Sequence, residues 1–241
     1  PPPPPPPPPT PFFSKQTTAY ELGVRLVGSE MCIRDRLLVA TFIIPQNMDD
    51  VLTAYLPRIG YWLQSGDFSP YPASPYNSVQ VSYPLNAQIP PLRSIVLSGG
   101  SNFVGIDQWL AALLSGVAVY GLGVALGAKR ALASFTGLIW VLSPAVIAQA
   151  GIMLTDITSV WGFLTILLFG ILGWREQRND LLGASSLALA LLIGSKQTVF
   201  FMLPGLALVA LAVFVFASGR KRVLKWGFVT GGLVLWFGVD R

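Results

Sequence analysis

"DQWLAALLSGVAVYGLGVAL", residues 107–126, opens on one acid and then runs to Leu126 without another charge. About 20 apolar residues is the length an α-helix needs to cross the hydrocarbon core of a bilayer. Similar runs follow, and the spacing predicts helices over 131–149, 155–174, 181–194, 198–217 and 226–239 as well, the one at 181–194 being short. The whole chain agrees with this reading. Of 241 residues 53% are hydrophobic and only 11% charged, with mean hydropathy +0.60, whereas soluble domains carry about one quarter charged residues. The expected fold is all-α: a polytopic transmembrane helix bundle in the plasma membrane.

The charges that do occur lie between the apolar runs. Short basic connections stand at "GAKRA" (127–131), "REQRN" (175–179) and "GRKRVLK" (219–225). Cytoplasmic loops collect Lys and Arg, so these three are expected to face the cytoplasm. Counting crossings backward then places 46–106, the hinge at "LTD" (154–156) and the turn "GSKQT" (194–198) outside, and with them Asp49, Asp50, Asp67, Asp107 and Asp156. The net charge of +5 follows from the basic loops; no basic face interleaved with aromatics is present, which argues against nucleic-acid binding.

Upstream of Asp107 the composition changes. Residues 46–106 are rich in Pro, Tyr, Ser and Asn and read as an ordered external segment. Within "VLTAYLPRIGYWL", Leu52, Tyr55, Leu56, Ile59 and Leu63 recur at helical spacing, the pattern of an amphipathic helix lying along the membrane interface. Pro57 predicts a kink or a two-part helix, and Tyr61 and Trp62 suit the headgroup level. "LLVATFII" (37–44) is too short to span and reads as the outer end of a first helix. Residues 1–36 do not fit the rest: a proline tract, alone a polyproline II linker or SH3-type ligand, runs into "FFSKQTTAYELGVRLVGSEMCIRDR". That run resembles translated sequencing-adapter read-through, the other reading being a disordered tail, and the expectation is a chain truncated at both ends.

The chain contains no histidine and one cysteine, Cys32, so acid–base chemistry falls to carboxylates, Lys or Tyr. Asp49 and Asp50 stand side by side after Asn47. They read either as a solvated helix start, since Asp and Asn are good N-caps, or as a carboxylate base at the membrane edge. Asp156 is equally double: an N-cap for a helix beginning at Ile157, or a functional acid that meets water, a cation or a partner. Lys196 snorkels to the interface or meets a phosphate. Arg58 anchors in headgroups or clamps a phosphate, and Gln80 and Tyr83 are weaker binding candidates.

"DDVLTAYLPRIGYWLQSGDFSPYP" (49–72), "SYPLNAQIPPL" (82–92), "QAGIMLTDIT" (149–158) and "SKQTVFFMLP" (195–204) resemble the integral-membrane GT-C glycosyltransferases of the glycosyltransferase family 39 type. Relatives there include protein mannosyltransferases and the aminoarabinose transferase of lipid A. The likeness runs over residues 37–241. It implies inverting transfer of a sugar from a polyprenyl-phosphate donor to a lipid, glycan or protein acceptor at the outer face of a bacterial plasma membrane. It also implies that an acid of the first external loop is the base. The family pattern D-x-L-x-Y-H-L-P-R matches Asp50, Leu52, Leu56, Pro57 and Arg58, which favours Asp50 over Asp49; Ala54 and Tyr55 stand where Tyr and His are common. Lys196, Arg58, Asp156, Gln80 and Tyr83 are then candidates for the donor phosphate or substrate. A divalent ion at Asp156 is a further candidate, although so few acids argue against an all-protein cage. The alternative is a multi-pass transporter or flippase with Asp156 and Lys196 as a charge pair.

Overall fold

The computed structural model describes residues 39, 41, 46–70, 72, 83–216 and 220–238, all within the unit Leu37–Arg241. Expectations about residues 1–36, about Gln80 and about most of the first helix fall outside them; Val39 and Thr41 are helical. Among the described residues the structure is helical without strands. Chain order is a π-turn at Val51–Tyr55, α1 (Leu56–Ser65), a short 3₁₀ turn at Asn86–Gln88, α2 (Ile89–Ser98) and a 3₁₀ turn at Ser101–Phe103. Then come α3 (Ile106–Ala125), α4 (Arg130–Leu142), α5 (Pro144–Ala150), α6 (Asp156–Arg175) and α7 (Asn179–Ile193). A 3₁₀ stretch Gln197–Phe201 leads into α8 (Leu203–Phe216), and α9 (Arg220–Leu233) ends in a second π-turn, Val234–Gly238.

Two segments are long and apolar enough to cross a membrane, Ser101–Ala125 and Asp156–Arg175. A third exists if α4 and α5 together make one broken span, bent by 53°. The break corrects the single helix expected over 131–149. It lies at Ser143, whose extended backbone (ψ 139°) is what a residue before proline prefers, because Pro144 crowds the helical conformation there. Asn179–Ile193 and Gln197–Leu208 are apolar but shorter.

α3 and α6 lie at the centre. α4 packs on one side of α3, α6 on another, α7 on α6, and α9 with its π-turn on α7. Small residues let the backbones approach, as is usual where helix contacts cannot rely on excluding water. A Cβ added at Gly116 would come within 2.2 Å of Val141 Cγ2, and one at Gly137 within 2.8 Å of the Gly116 carbonyl oxygen. Trp140 Nε1 donates to the fully buried Ser115 Oγ at 2.7 Å, which in turn donates to the Ala112 carbonyl. α3 and α4 are thereby joined through a polar contact inside an apolar interface.

The bundle has two chemically different ends. At one, Arg175 on the last turn of α6 donates to the Ala125 carbonyl at the end of α3. Beside it Arg222 donates to Gln177, Asn179 and the Gly173 carbonyl, with its guanidinium 5.7 Å from the Trp174 ring. These contacts explain a correction: α9 starts at Arg220, not near 226, because the basic run is drawn into helix as it docks on the junction of α6 and α7. At the other end lie the starts of α3 and α6, the turn after α7 and the external segment.

That segment folds inward. Val51, Ile59 and Trp62 are buried with Val104 and Met153, and Tyr55, Leu56 and Tyr61 pack around them. Of the stripe expected to lie on lipid, Ile59 is buried and Tyr55 and Leu56 pack inward, while Leu52 and Leu63 are exposed. Trp62, expected at the headgroups, is 4% exposed; its Nε1 donates to the Ser69 carbonyl and its ring meets Phe68 edge-on. Helices α1 and α2 end at Gly66 (φ 75°) and Gly99 (φ 70°), left-handed caps that glycine adopts without a steric cost.

Candidate functional site

One side chain ties the start of the external segment to the bundle. Gln46 Nε2 donates to the Gly151 carbonyl at 3.1 Å, and its Oε1 accepts from the Met153 amide at 3.0 Å. Both are backbone groups of the α5–α6 connection, where helix ends leave donors and acceptors without intrahelical partners. The clamp brings the helical turn that begins at Asp49 alongside Thr155 and Asp156.

Pro57 shapes the turn around it. It has no N–H to return to the preceding turn, and its ring crowds the carbonyl four residues back. The chain answers by widening: Val51–Tyr55 is a π-turn, closed by the Leu56 amide on the Val51 carbonyl. Asp50 is the residue preceding this turn and Tyr55 its last. The expected kink at Pro57 is thus a π-turn passing directly into α1.

Tyr55 is the residue around which the others gather. Its ring stacks on Tyr83, centroids 5.9 Å apart and planes 29° apart. Burial pushes its phenol above the ordinary value; the neighbouring Thr155 hydroxyl acts the other way, and Tyr83, Asp50 and Asp156 each add a further rise. Both candidate acids therefore lie within electrostatic reach of one phenol. Thr155 is 5% exposed, and its hydroxyl lies beside that phenol.

Asp156 opens α6 from its first turn, where the helix dipole favours a negative charge. Its Oδ1 accepts from Lys196 Nζ. Neither reading of Lys196 as a snorkelling cation nor of Asp156 as a cap describes this geometry: the two pair with each other, and no side-chain cap bond forms at Thr155, the residue preceding α6. The lysine side chain is 23% exposed and the aspartate 44%, so the pair opens to solvent through the carboxylate. Lys196 is placed by the turn after α7. There the Asn86 amide donates to the Gly194 carbonyl at 2.8 Å, and Asn86 Nδ2 donates to the Leu191 and Phe237 carbonyls. A Cβ at Gly194 would come within 2.3 Å of Asn86 Nδ2 and 2.9 Å of the Phe237 oxygen. Only glycine permits the external segment to seat there.

The remaining candidates separate. Arg58 is 1% exposed, neither a headgroup anchor nor an exposed clamp; its Nη1 donates to the Tyr83 carbonyl at 2.6 Å and so holds the ring that stacks on Tyr55. Asp49 is exposed, and its carbonyl accepts from Thr53 Oγ1. Asp50, also exposed, makes no side-chain cap bond, which leaves its carboxylate open. Tyr83 joins the site through its ring and its carbonyl. Among the described residues no three of His, Cys, Asp or Glu gather, and Asp156 is engaged by an ammonium group; the donor set does not fit a metal site.

Beside this end an apolar groove of about 130 Å³ runs between α6 and α7, lined by Trp161, Gly162, Thr165, Leu191, Leu192 and Ser195 among others. It reaches the residue preceding Lys196. Gln46 joins the site without a signal in the sequence, whereas Asn86 and Thr155 lie within stretches that carry the family resemblance. Tyr55 carried one, as the departure from histidine in the family pattern.

The class defined by these features is an all-helical protein with two to three helices able to span a membrane and a polar cluster at one end. Compared with protein-family models, characterised proteins and solved structures, the chain matches none.

Proposed function

We propose that the chain is part of a polytopic glycosyltransferase of GT-C type. In this reading it transfers a sugar from a polyprenyl phosphate to a lipid, glycan or protein acceptor at the outer face of a bacterial plasma membrane. The observation that carries the reading is the convergence of Asp50, from the external segment, and the Asp156–Lys196 pair, from the bundle, on Tyr55. An exposed carboxylate then lies within electrostatic reach of a site that also offers an ammonium group and two hydroxyls. In the proposed step Asp50 takes the proton of the acceptor hydroxyl as that oxygen bonds to the anomeric carbon. The bond from that carbon to the phosphate oxygen breaks, inversion results, and the phosphate leaves as an anion near Lys196. The groove between α6 and α7 suits the apolar chain of such a donor, and the basic residues gathered at the far end support an outward-facing site.

The Asp156–Lys196 pair also favours a second reading, a transporter that opens this pair around a polar cargo. Against it, the pair lies at the start of α6 and just beyond α7, not in mid-span, where transport sites are usual. Reconstitution of the full-length protein with a labelled polyprenyl-phosphate sugar separates the two. Covalent transfer that Asp50→Asn abolishes supports the first; uptake of label without transfer overturns it.

A further inference from the structure

Tyr55 is held more firmly than the acids of its own segment, which are exposed. Its ring stacks on Tyr83 at 5.9 Å, and the Tyr83 backbone is held in turn by the buried guanidinium of Arg58. The same ring packs against the buried cluster of Val51, Ile59, Trp62, Val104 and Met153, which joins the external segment to the residues preceding α3 and α6. A ring fixed on both counts leaves its hydroxyl one freedom, rotation about the C–O bond, and the proton can turn from one acceptor to another.

The surroundings decide the form of that hydroxyl. Burial, Tyr83, Asp50 and Asp156 all oppose its ionisation, and only the Thr155 hydroxyl acts the other way. Tyr55 is therefore a neutral donor at physiological pH, well below the ordinary phenol value of about 10. Lys196, the cation of the site, is already engaged by Asp156. An anion that forms here meets a lysine paired with a carboxylate, whereas the phenol has no countercharge to give up.

We propose, resting on the glycosyltransferase reading above, that Tyr55 is a catalytic residue whose hydroxyl donates a hydrogen bond to a non-bridging oxygen of the donor phosphate as that group leaves. In the step, the acceptor oxygen bonds to the anomeric carbon and its proton passes to Asp50. The bond from that carbon to the phosphate oxygen breaks, and its electron pair stays on the phosphate. Negative charge thus disappears from Asp50 as it grows on the leaving group. A hydroxyl free to rotate, near Asp50 and near Asp156 with its lysine, follows the charge. It bonds more strongly in the transition state than in the ground state, which is the condition for raising turnover. Tyr55 keeps its proton throughout, because a phosphate monoester has its second pKa at about 6 and a phenol at about 10. It is an electrostatic stabiliser and not a general acid.

The test uses the full-length protein in proteoliposomes, with undecaprenyl-phosphate hexoses and pentoses labelled in the sugar as donors and undecaprenyl phosphate as the product. Tyr55→Phe keeps the ring, and with it the stack and the apolar packing, so the melting temperature at neutral pH should change little. It should lower kcat by about 10- to 10²-fold, while the donor, a phosphodiester with one charge, binds within a few-fold of normal. Affinity for undecaprenyl phosphate, a doubly charged monoester at about pH 8, should fall by about 10-fold; that measurement requires no turnover. Normal kcat and normal product affinity in Tyr55→Phe would overturn the proposal. So would a shift in the acid limb of the rate with product affinity unchanged, since Tyr55 would then act only through Asp50. Absence of transfer by the wild-type protein from every one of these donors would instead overturn the glycosyltransferase reading, and the role of Tyr55 with it.

Discussion

The basic end and the acidic end of the bundle use the same kinds of residue differently. At the basic end Arg175 and Arg222 answer carbonyls and side chains left open where α3, α6 and α7 terminate, which is what cations at helix C-termini do. At the acidic end both amide atoms of Gln88 are buried without partners, the backbone widens into a π-turn, and an open carboxylate lies on Asp50. The helix ends that the two arginines close account for their contacts, although Trp226 Nε1 on α9 is also buried without a partner. The second set carries costs that packing leaves uncompensated, and such costs concentrate at functional sites.

Orientation gives the test with the largest effect. In a background without other cysteines, Phe68→Cys should react with an impermeant thiol reagent applied to intact cells, and Gln177→Cys should react only after the membrane is opened. The reverse pattern would turn the acidic end toward the cytoplasm and remove the proposed chemistry from the outer face.

Next in size is the contrast between a proposed base and a proposed structural cation. Asp50→Asn should lower transfer by about 10²- to 10⁴-fold with little loss of donor binding. Asp49→Asn should do much less, since consecutive helical residues point about 100° apart. Arg222→Gln should loosen the basic end and reduce thermal stability while leaving transfer within a few-fold. Equal, near-normal rates for Asp50→Asn and Asp49→Asn would reduce the pair to a solvated helix start.

Gly194→Ala tests how the external segment is seated. The added Cβ meets Asn86 and the Phe237 carbonyl, an overpacking expected to cost about 1–3 kcal/mol. Thermal unfolding in detergent reads that loss, and transfer should fall with it because Lys196 lies two residues away.

The smallest effect is one of stability and concerns Tyr55. Its phenol is raised in the folded protein, first by burial, so the folded state holds its proton more tightly than the unfolded state. That contribution is fully present below the unfolded value of about 10 and is lost as pH rises through the higher folded value. Tyr55→Phe should therefore flatten the fall in melting temperature on the alkaline side of that value and change little at neutral pH. An unchanged alkaline slope would separate Tyr55 from the buried cluster.

How much of this is legible in the sequence varies with the range of the forces involved. The helices α3, α6 and α7 can be read because long apolar runs with charge only at their ends leave little alternative. Pro57 announces its disturbance of the helix, since a missing N–H is a local fact; that the disturbance takes the form of a π-turn at Val51–Tyr55 is visible only in the structure. Pro144 is as visible as Pro57, yet the uninterrupted apolar run around it hides the break at Ser143. Gln46 gives no signal, because its bonds reach residues 105 and 107 positions away.

The sequence by itself determined the helical class, the apolar segments able to span a membrane, and the sorting of basic from acidic connections, because hydropathy and charge act residue by residue. Tertiary structure alone decided that Lys196 pairs with Asp156, that Arg58 is buried on the Tyr83 carbonyl, and that Asp50 and Asp156 both lie within electrostatic reach of Tyr55. It also decided how α1 and α2 are rolled: Ile59, Leu92 and Ile95 pack inward, while Leu63, Val96 and Leu97 stay exposed. Both helices have apolar stripes, and a stripe specifies only that something must cover it; the hydrogen bonds that Arg93 and Ser94 of α2 donate to Asp107 and the burial of Ile59 and Trp62 specify which side is which.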